Sequence, residues 1–301
     1  MVEIELRDLC DGKIYHVCTD GTDCPVLMRN GDDYKVALNY LAIVSWRLSV
    51  KVVAYCLMSN HFHVLVICDS WQQAQSFIRR FKQLVSTYLL KKYSLNDAMK
   101  GVSDSITLID SVNYLRTCIA YILRNPLCAR IVQSLDEYPW SSYACYFRNA
   151  KETLSSVRLS NLSSRERRQL LRIDDPLSGC TFELDKTGII LPQSFVAYDI
   201  VENAFGHSGK SFLYYLGYCN DSQVEYDLSI KPQMRPVDAD LVSQAENLSQ
   251  KYFSGKTLAQ LTTSNKCSII KRLYYTNKTT IPQVSRVLGL PKNLVQKILS
   301  T

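Results

Sequence analysis

The chain has 301 residues, of which 47% are apolar and 21% are charged, with a net charge of +7 at neutral pH. Its length suits two or three domains, and its composition excludes an intrinsically disordered chain. No apolar run reaches the roughly 18 residues of a membrane helix, and the N-terminus lacks the apolar core of a signal peptide. The eleven cysteines include no CxxC pair, so they predict reduced thiols in a cytoplasmic protein.

Strand and helix patterns alternate over the first 150 residues. Strands are predicted from β-branched and aromatic runs at Lys13–Thr19, Val52–Met58 and Phe62–Cys68, the last two as a hairpin. Helices are predicted from apolar residues at helical spacing at Asp32–Leu48, Gln75–Tyr93 and Asp110–Arg124. A loop is predicted over Ser94–Ser105, and Pro126 is expected to end the third helix. This order indicates an α+β fold, with a small antiparallel sheet and helices packed on one face.

The second half of the chain divides into two segments. Residues 151–240 mix Ser-rich turns, Pro and Gly breaks and one charged helix at Ser164–Arg172, which we interpret as a mostly helical connector of unassigned role. Residues 241–301 are predicted to form an all-α domain, with helices at Cys267–Tyr275, Ile281–Leu288 and Lys292–Leu299. The expected domains are therefore 1–150, 151–240 and 241–301.

The net charge is unevenly distributed. Residues 241–301 hold nine Lys and Arg against one acidic residue, Glu246, a net of +8. A second group of basic residues lies on the predicted helix 75–93 and consists of Arg79, Arg80, Lys82, Lys91 and Lys92. Two separated basic stretches indicate a polyanion as partner, because neutralised phosphates release counterions. A solvated helix face is the alternative interpretation.

Two histidines and one tyrosine are the candidate catalytic residues. His61 and His63 stand two residues apart at the predicted strand, so both imidazoles project from one face and could bind one divalent ion. Tyr121 and Asn125 are four residues apart on a predicted helix and share a face. A phenol nucleophile and an amide oxygen ligand beside such an ion are parts that phosphodiester cleavage needs. Tyr114, seven residues before Tyr121, is the competing nucleophile.

Five blocks follow one another between residues 13 and 147: YHVCTDG (Tyr15–Gly21), AYCLMSNHFHVLV (Ala54–Val66), IRRFKQLVSTYL (Ile78–Leu89), AYILRNPLCARIV (Ala120–Val132) and YPWSSYACYF (Tyr138–Phe147). In this order they resemble the single-tyrosine, HUH-type transposases, among which the REP-associated tyrosine transposases look nearest. The resemblance implies a ferredoxin-like antiparallel sheet and a Mg²⁺ or Mn²⁺ held by His61 and His63. It implies that Tyr121 is the nucleophile and that Asn125 makes the further metal contact. One departure is that Lys92–Leu108 lacks the Leu-Trp-Gln run of many relatives.

Residues 279–299 resemble the helix-turn-helix of DNA-binding proteins, with Gly289 at the turn and the second helix opening after Pro291. In that arrangement the second helix enters the major groove. The likeness implies that four residues meet DNA: Lys292, Asn293, Gln296 and Lys297. It also implies that three residues touch phosphates: Lys271, Arg272 and Arg286. A three-helix bundle used for protein contact is the alternative.

The resemblance implies a transposase that cleaves and rejoins single-stranded DNA through a 5′-phosphotyrosine link, leaving a free 3′-OH. Its expected partners are single-stranded or hairpin DNA at the basic helix and duplex DNA at the C-terminal domain, with no membrane, and the chain would be a monomer or homodimer. Two alternatives stay open. One is a catalytically silent DNA-binding regulator derived from a transposase, and the other is a metal-dependent phosphodiesterase that uses water as nucleophile.

Overall fold

The computed structural model describes residues 4–19, 24–96, 98–99, 102, 104–147, 156–174, 177–217, 237–277 and 279–299. The ten cysteines within these ranges are free thiols. None of the helices they contain combines the length and the apolar character needed to cross a membrane. Residues 218–236 of the predicted connector lie outside the described ranges.

Four antiparallel strands form the central sheet. They are β1 (Lys13–Thr19), β2 (Lys51–Leu57), β3 (Phe62–Cys68) and β4 (Asp104–Leu108), and their spatial order is β2-β3-β1-β4. β2 and β3 form the predicted hairpin, in which the Met58 amide donates to the His61 carbonyl at 2.8 Å. With the helices that pack on it, this sheet confirms the predicted α+β class.

Strand β4 was not predicted from the sequence, and it overlaps the predicted loop Ser94–Ser105 only at Asp104 and Ser105. β4 pairs along β1, with Val17 opposite Ile106. Four of its five residues are exposed, since it lies at the edge of the sheet. An exposed edge strand needs no alternation of apolar and polar residues, so the sequence pattern that reveals a half-buried strand is missing here.

Four helices belong to this part of the chain: α1 (Leu6–Leu9), α2 (Gly31–Arg47), α3 (Trp71–Tyr93) and α4 (Val112–Cys128). The three long ones each begin after a polar N-cap whose side chain accepts a backbone hydrogen bond, namely Asn30, Ser70 and Ser111. α4 continues past Pro126, which was predicted to end it, and stops at Cys128. The proline removes only one backbone donor within the last turn, and the Ala129 amide still donates to the Asn125 carbonyl at 2.9 Å.

Helices cover both faces of the sheet, which corrects the expectation that they pack on one face. Successive residues of β3 point to opposite sides, and their ring contacts show which helix lies on each. The Phe62 ring lies 4.7 Å from Phe81 of α3, whereas the His63 ring lies 5.3 Å from Tyr121 of α4. Every residue of β3 is buried, so an apolar layer is required on each side.

Residues 156–217 are an integral part of the same core. They contain a two-stranded sheet, β5 (Val157–Arg158) with β6 (Glu183–Leu184), and three helices, α5 (Ser164–Leu171), α6 (Tyr198–Ala204) and α7 (Gly209–Gly217). Phe182 packs on Trp46 of α2 at 5.6 Å, and Phe195 stacks on Tyr55 of β2 at 6.0 Å. The Ala197 amide donates to the Val52 carbonyl at 2.8 Å, which covers the outer edge of β2.

The C-terminal residues form a helical unit with its own apolar cluster. Its helices are α8 (Asp238–Tyr252), α9 (Thr263–Asn277), α10 (Ile281–Leu288) and α11 (Lys292–Leu299). Gly289 ends α10 in the left-handed region, at φ 63°, which a glycine adopts at little cost. α8 crosses the expected boundary between residues 240 and 241. Val26, from the segment before α2, packs in this C-terminal cluster and so joins it to the rest of the molecule.

Candidate active site

A cluster of imidazole and thiol groups lies on the face of the sheet that α4 covers. Cys18 of β1 stands opposite His63 of β3 in the antiparallel register, so both side chains point to one face. His16, two residues before Cys18, points the same way, and its Nε2 lies 3.1 Å from His63 Nδ1. One ligand atom from each of the three residues lies within 4.8 Å of the others.

His61 and Tyr121 complete this cluster. The His61 ring, just before β3, lies 5.1 Å from the His63 ring, and its Nδ1 is 2.9 Å from Asn60 Oδ1. The Tyr121 ring of α4 lies 5.3 Å from His63 and 6.1 Å from His16. Half of Tyr121 is exposed, and the residue lines the cavity described below. The structure therefore brings together three of the four catalytic and metal-binding residues that the sequence predicts.

Asn125 and Tyr114 do not line the cavity that contains this cluster. The Asn125 side-chain amide donates to the Tyr121 carbonyl at 3.0 Å, one turn back along α4, and Asn125 does not line the cavity described below. Its Oδ1 atom is the one that a metal contact would use. Tyr114 is 40% exposed near the start of α4 and does not line the cavity either. Two helical turns separate it from Tyr121, or roughly 10 Å along the axis.

An open cavity of about 740 Å³ contains the cluster. Its sheet side includes Cys18, His61 and His63, and its α4 side includes Tyr121. Asp104 and Ser105 of β4 and the segment after α4 also line it, and the C-terminal unit contributes Asp238, Thr280, Gln283 and Arg286. The predicted catalytic domain and the predicted DNA-binding domain thus share one cavity.

Asp238 joins the two parts of this cavity. Its buried carboxylate accepts a hydrogen bond from Ser59 Oγ at 2.6 Å, at the turn that precedes His61. Arg286 donates to the same carboxylate from Nη2 at 3.1 Å, and Gln283 donates from Nε2 at 3.3 Å. A buried carboxylate is stable only with such partners, so these contacts fix α8 and α10 against the β2–β3 turn.

Burial controls the protonation of the site. It lowers the pKa of His16 to about 4, and burial together with His61 and His16 lowers the pKa of His63 to about 3. Both rings are therefore neutral at neutral pH and offer nitrogen lone pairs. Burial, and then the thiols of Cys18, Cys118 and Cys128, raises the pKa of the Tyr121 hydroxyl, which is protonated at neutral pH.

The donor set fits a divalent transition ion. Imidazole nitrogens and a thiol suit first-row transition metals, whereas Mg²⁺ takes oxygen ligands in octahedral geometry. The sequence did not single out His16 and Cys18. Their signal was present in the block YHVC, where two metal-ligating residue types stand two apart on a strand, as His61 and His63 do.

The basic residues of α3 fall into two groups. Arg79 and Lys82 lie on the side toward β4, where Lys82 Nζ is 2.6 Å from Asp104 Oδ1. Arg80, Lys91 and Lys92 line a second cavity formed with α2 and α5. Lys92 is also paired with the buried carboxylate of α2, at 2.7 Å from Asp33 Oδ1.

The basic and polar residues of the C-terminal helices are mostly on the surface. Lys271, Asn293, Gln296 and Lys297 are exposed, and Lys292 is half-buried. Arg272 is exposed, donates to the Tyr252 hydroxyl and lies over that ring at 5.1 Å. Arg286 is the exception in this group, because it points into the cavity beside Asp238.

Residues 26–103 match a protein-family model described as "Transposase IS200 like". The chain resembles the IS200-like transposases. The matched segment contains α2, β2, β3 and α3, and therefore includes His61 and His63 but ends before Tyr121. The match confirms the resemblance inferred from the sequence blocks for this part of the chain.

One solved structure, described as "Structure of the REP associates tyrosine transposase bound to a REP hairpin", is similar at 14% identity. The similarity covers 48% of this chain and 81% of that chain, with a TM-score of 0.35. No curated protein matches the chain.

The first prediction concerns metal binding. We expect Mn²⁺ titrated into the protein to bind at the histidine cluster, and His63→Ala to weaken binding at least about tenfold because an imidazole ligand is lost. Isothermal titration calorimetry measures this. His207→Ala is the control, since His207 is the remaining histidine and lies exposed outside the cluster. Equal affinities of both variants would contradict the metal site.

The second prediction concerns the carboxylate that links the two parts of the cavity. Asp238→Asn should lower the free energy of unfolding by about 1–3 kcal/mol, because an ion pair with Arg286 and its hydrogen bonds are weakened. It should also speed hydrogen exchange in α10. Urea denaturation and exchange mass spectrometry measure these effects. Asp240→Asn, an exposed site on the same helix, should change neither; a similar loss in both variants would contradict the assigned role.

Proposed function

We propose that this chain is a metal-dependent transposase that cleaves and rejoins single-stranded DNA through a 5′-phosphotyrosine intermediate on Tyr121. The observation that carries the proposal is the packing of the Tyr121 ring against His63 inside one open cavity. A nucleophile and metal-ligating groups therefore share a space that a DNA strand can enter. The family match over residues 26–103 supports the transposase class.

His61 and His63 would hold the divalent ion, with Asn125 as the further contact. When bound, Mn²⁺ or Mg²⁺ would polarise a non-bridging oxygen of the scissile phosphate and offset the charge that develops there. His16 and Cys18 border the same position, so their side chains would limit the space around the ion and add donors to it.

Tyr121 would attack the phosphorus from α4, whose packing fixes the ring while leaving the hydroxyl accessible. A bond forms between the phenolic oxygen and phosphorus, and the bond from phosphorus to the 3′ oxygen breaks. The phenol loses its proton as the bond forms, and the leaving 3′ oxygen takes one up, so the step is neutral in protons overall. The phosphotyrosine link keeps the bond energy for rejoining, and no ATP is required.

The basic surfaces supply the expected contacts with DNA. We propose that the α3 group guides single-stranded or hairpin DNA through Arg79, Arg80, Lys82, Lys91 and Lys92. Within the C-terminal domain, the exposed residues Asn293, Gln296 and Lys297, with Lys292, would meet duplex DNA, and Lys271 and Arg272 would touch its phosphates. Arg286 lines the cavity, so its guanidinium would lie beside the strand undergoing cleavage.

The nucleophile can be tested directly. With labelled single-stranded hairpin DNA and Mn²⁺, we expect a covalent protein–DNA adduct that is stable in denaturant. Tyr121→Phe should abolish it because the attacking oxygen is gone, whereas Tyr114→Phe should leave it intact. Denaturing gel electrophoresis measures both variants side by side.

The other outcomes separate the alternatives. Loss of the adduct in Tyr114→Phe alone would identify Tyr114 as the nucleophile. Cleaved DNA with no protein attached would indicate hydrolysis by water. DNA binding without adduct or cleavage would indicate a catalytically silent regulator, and each of these results contradicts the proposal.

A further inference from the structure

The second cavity lies on the opposite side of the molecule from the candidate active site. It has a volume of about 730 Å³ and is bounded by α2, α3 and α5. α3 packs on the Phe62 face of the sheet and α2 packs on α3, where Tyr40 and Tyr88 are 6.5 Å apart. The sheet therefore separates this cavity from His63, so any ligand in it lies away from the cleavage chemistry.

Two helices present cations to this cavity from facing sides. On α3, Arg80, Thr87 and Lys91 line it, and their spacing of seven and four residues places them on one helix face. On α5 and its C-cap, Arg165, Arg168 and Arg172 line it at a spacing of three and four residues. Each helix thus aligns its positive charges along the cavity, which is the arrangement expected for an extended anion.

Among the described residues, acidic groups supply little charge to neutralise this cluster. Among the described residues that line the cavity, Asp174 alone is acidic. Over the described ranges, the salt bridges include none made by Arg165, Arg168 or Arg172. Like charges held close together repel one another, and a bound polyanion relieves that repulsion.

The floor of the cavity is aromatic and fixed. The Arg172 guanidinium lies 5.5 Å from the Tyr88 ring centroid, and the Arg172 carbonyl accepts a hydrogen bond from the Tyr40 hydroxyl at 3.1 Å. The backbone of Arg172 has φ 54°, in the left-handed region that residues other than glycine rarely adopt. These contacts hold the C-cap of α5 against α2 and α3, so Arg172 is positioned before a ligand arrives.

We infer that this cavity, completed by α5, is a second DNA site that binds the phosphate backbone of the substrate at a distance from the cleaved bond. Arginine forks match phosphate oxygens geometrically and remain charged at all physiological pH values. The inference rests on the proposed function for the identity of the DNA. It gives the segment 151–240, whose role the sequence leaves open, a part in holding the substrate.

The test compares two triple variants that lower the net charge equally. Arg165→Gln/Arg168→Gln/Arg172→Gln removes the α5 side of the cavity, and Lys13→Gln/Lys51→Gln/Lys210→Gln removes three exposed charges elsewhere. Binding of a hairpin DNA with a single-stranded extension is measured by fluorescence anisotropy over a range of salt concentrations. We expect the cavity variant to bind the DNA more weakly. The magnitude of its slope of log K against log salt should decrease by about 2, because three phosphate contacts are lost. The control variant should keep the wild-type slope.

A second measurement separates this inference from the proposed function. At saturating DNA the cavity variant should form the Tyr121 adduct as the wild type does, because its changes lie across the sheet from the site. Absence of the adduct in the wild type contradicts the proposed function and leaves the binding comparison readable. Equal slopes for the two triple variants overturn the inference.

The anisotropy measurement also shows which phosphate-containing ligand the cavity binds, and a double variant checks that the loss of binding does not come from disrupted packing. Inorganic phosphate should not displace the DNA at millimolar concentration; displacement would indicate a small-anion site and overturn the inference. If the cavity variant lost affinity only for RNA of the same sequence and not for the DNA, the assignment to DNA would be overturned.

The double variant Arg165→Gln/Arg168→Gln keeps Arg172 and its contact with Tyr88. It should show a smaller decrease of the salt slope in the same direction, and an unchanged slope would overturn the inference.

Discussion

The antiparallel register between β1 and β3 is the constraint on which the candidate site depends. It sets Cys18 opposite His63 and directs His16 to the same face. A slip of one residue in this pairing would turn His16 and Cys18 into the opposite layer, because side chains alternate along a strand. The register is secured by the apolar residues between them, since Val17 and Val64 must face the layer formed by α3.

The second organising contact is the attachment of the C-terminal helices. The carboxylate of Asp238 is buried and requires hydrogen-bonding partners, which Ser59 and Arg286 provide from either side. The ion pair between Asp238 and Arg286 therefore has two effects. It stabilises the buried carboxylate, and it holds α10 at the rim of the cavity that contains Tyr121. DNA held by these helices and DNA held near Tyr121 would meet at one place.

Much of this arrangement could be predicted from local patterns in the sequence. His61 and His63 are two apart at a strand and Tyr121 lies on an amphipathic helix, and both signals depend only on neighbouring residues. The block YHVC shows His16 and Cys18 as a local pair, but their position beside His63 depends on the pairing of distant strands, which no local pattern specifies. β4 was missed because an exposed edge strand carries no apolar alternation, and the cavity between α3 and α5 was missed because it joins segments about 80 residues apart.

In the proposed reaction, Tyr121 becomes covalently attached to the 5′ phosphate of cleaved DNA. The most direct measurement is mass spectrometry of the wild-type protein after reaction with hairpin DNA and Mn²⁺, followed by nuclease and protease digestion. We expect a nucleotide-modified peptide whose fragment ions locate the added mass on Tyr121. A modification on Tyr114, or cleaved DNA with every tyrosine unmodified, would contradict it.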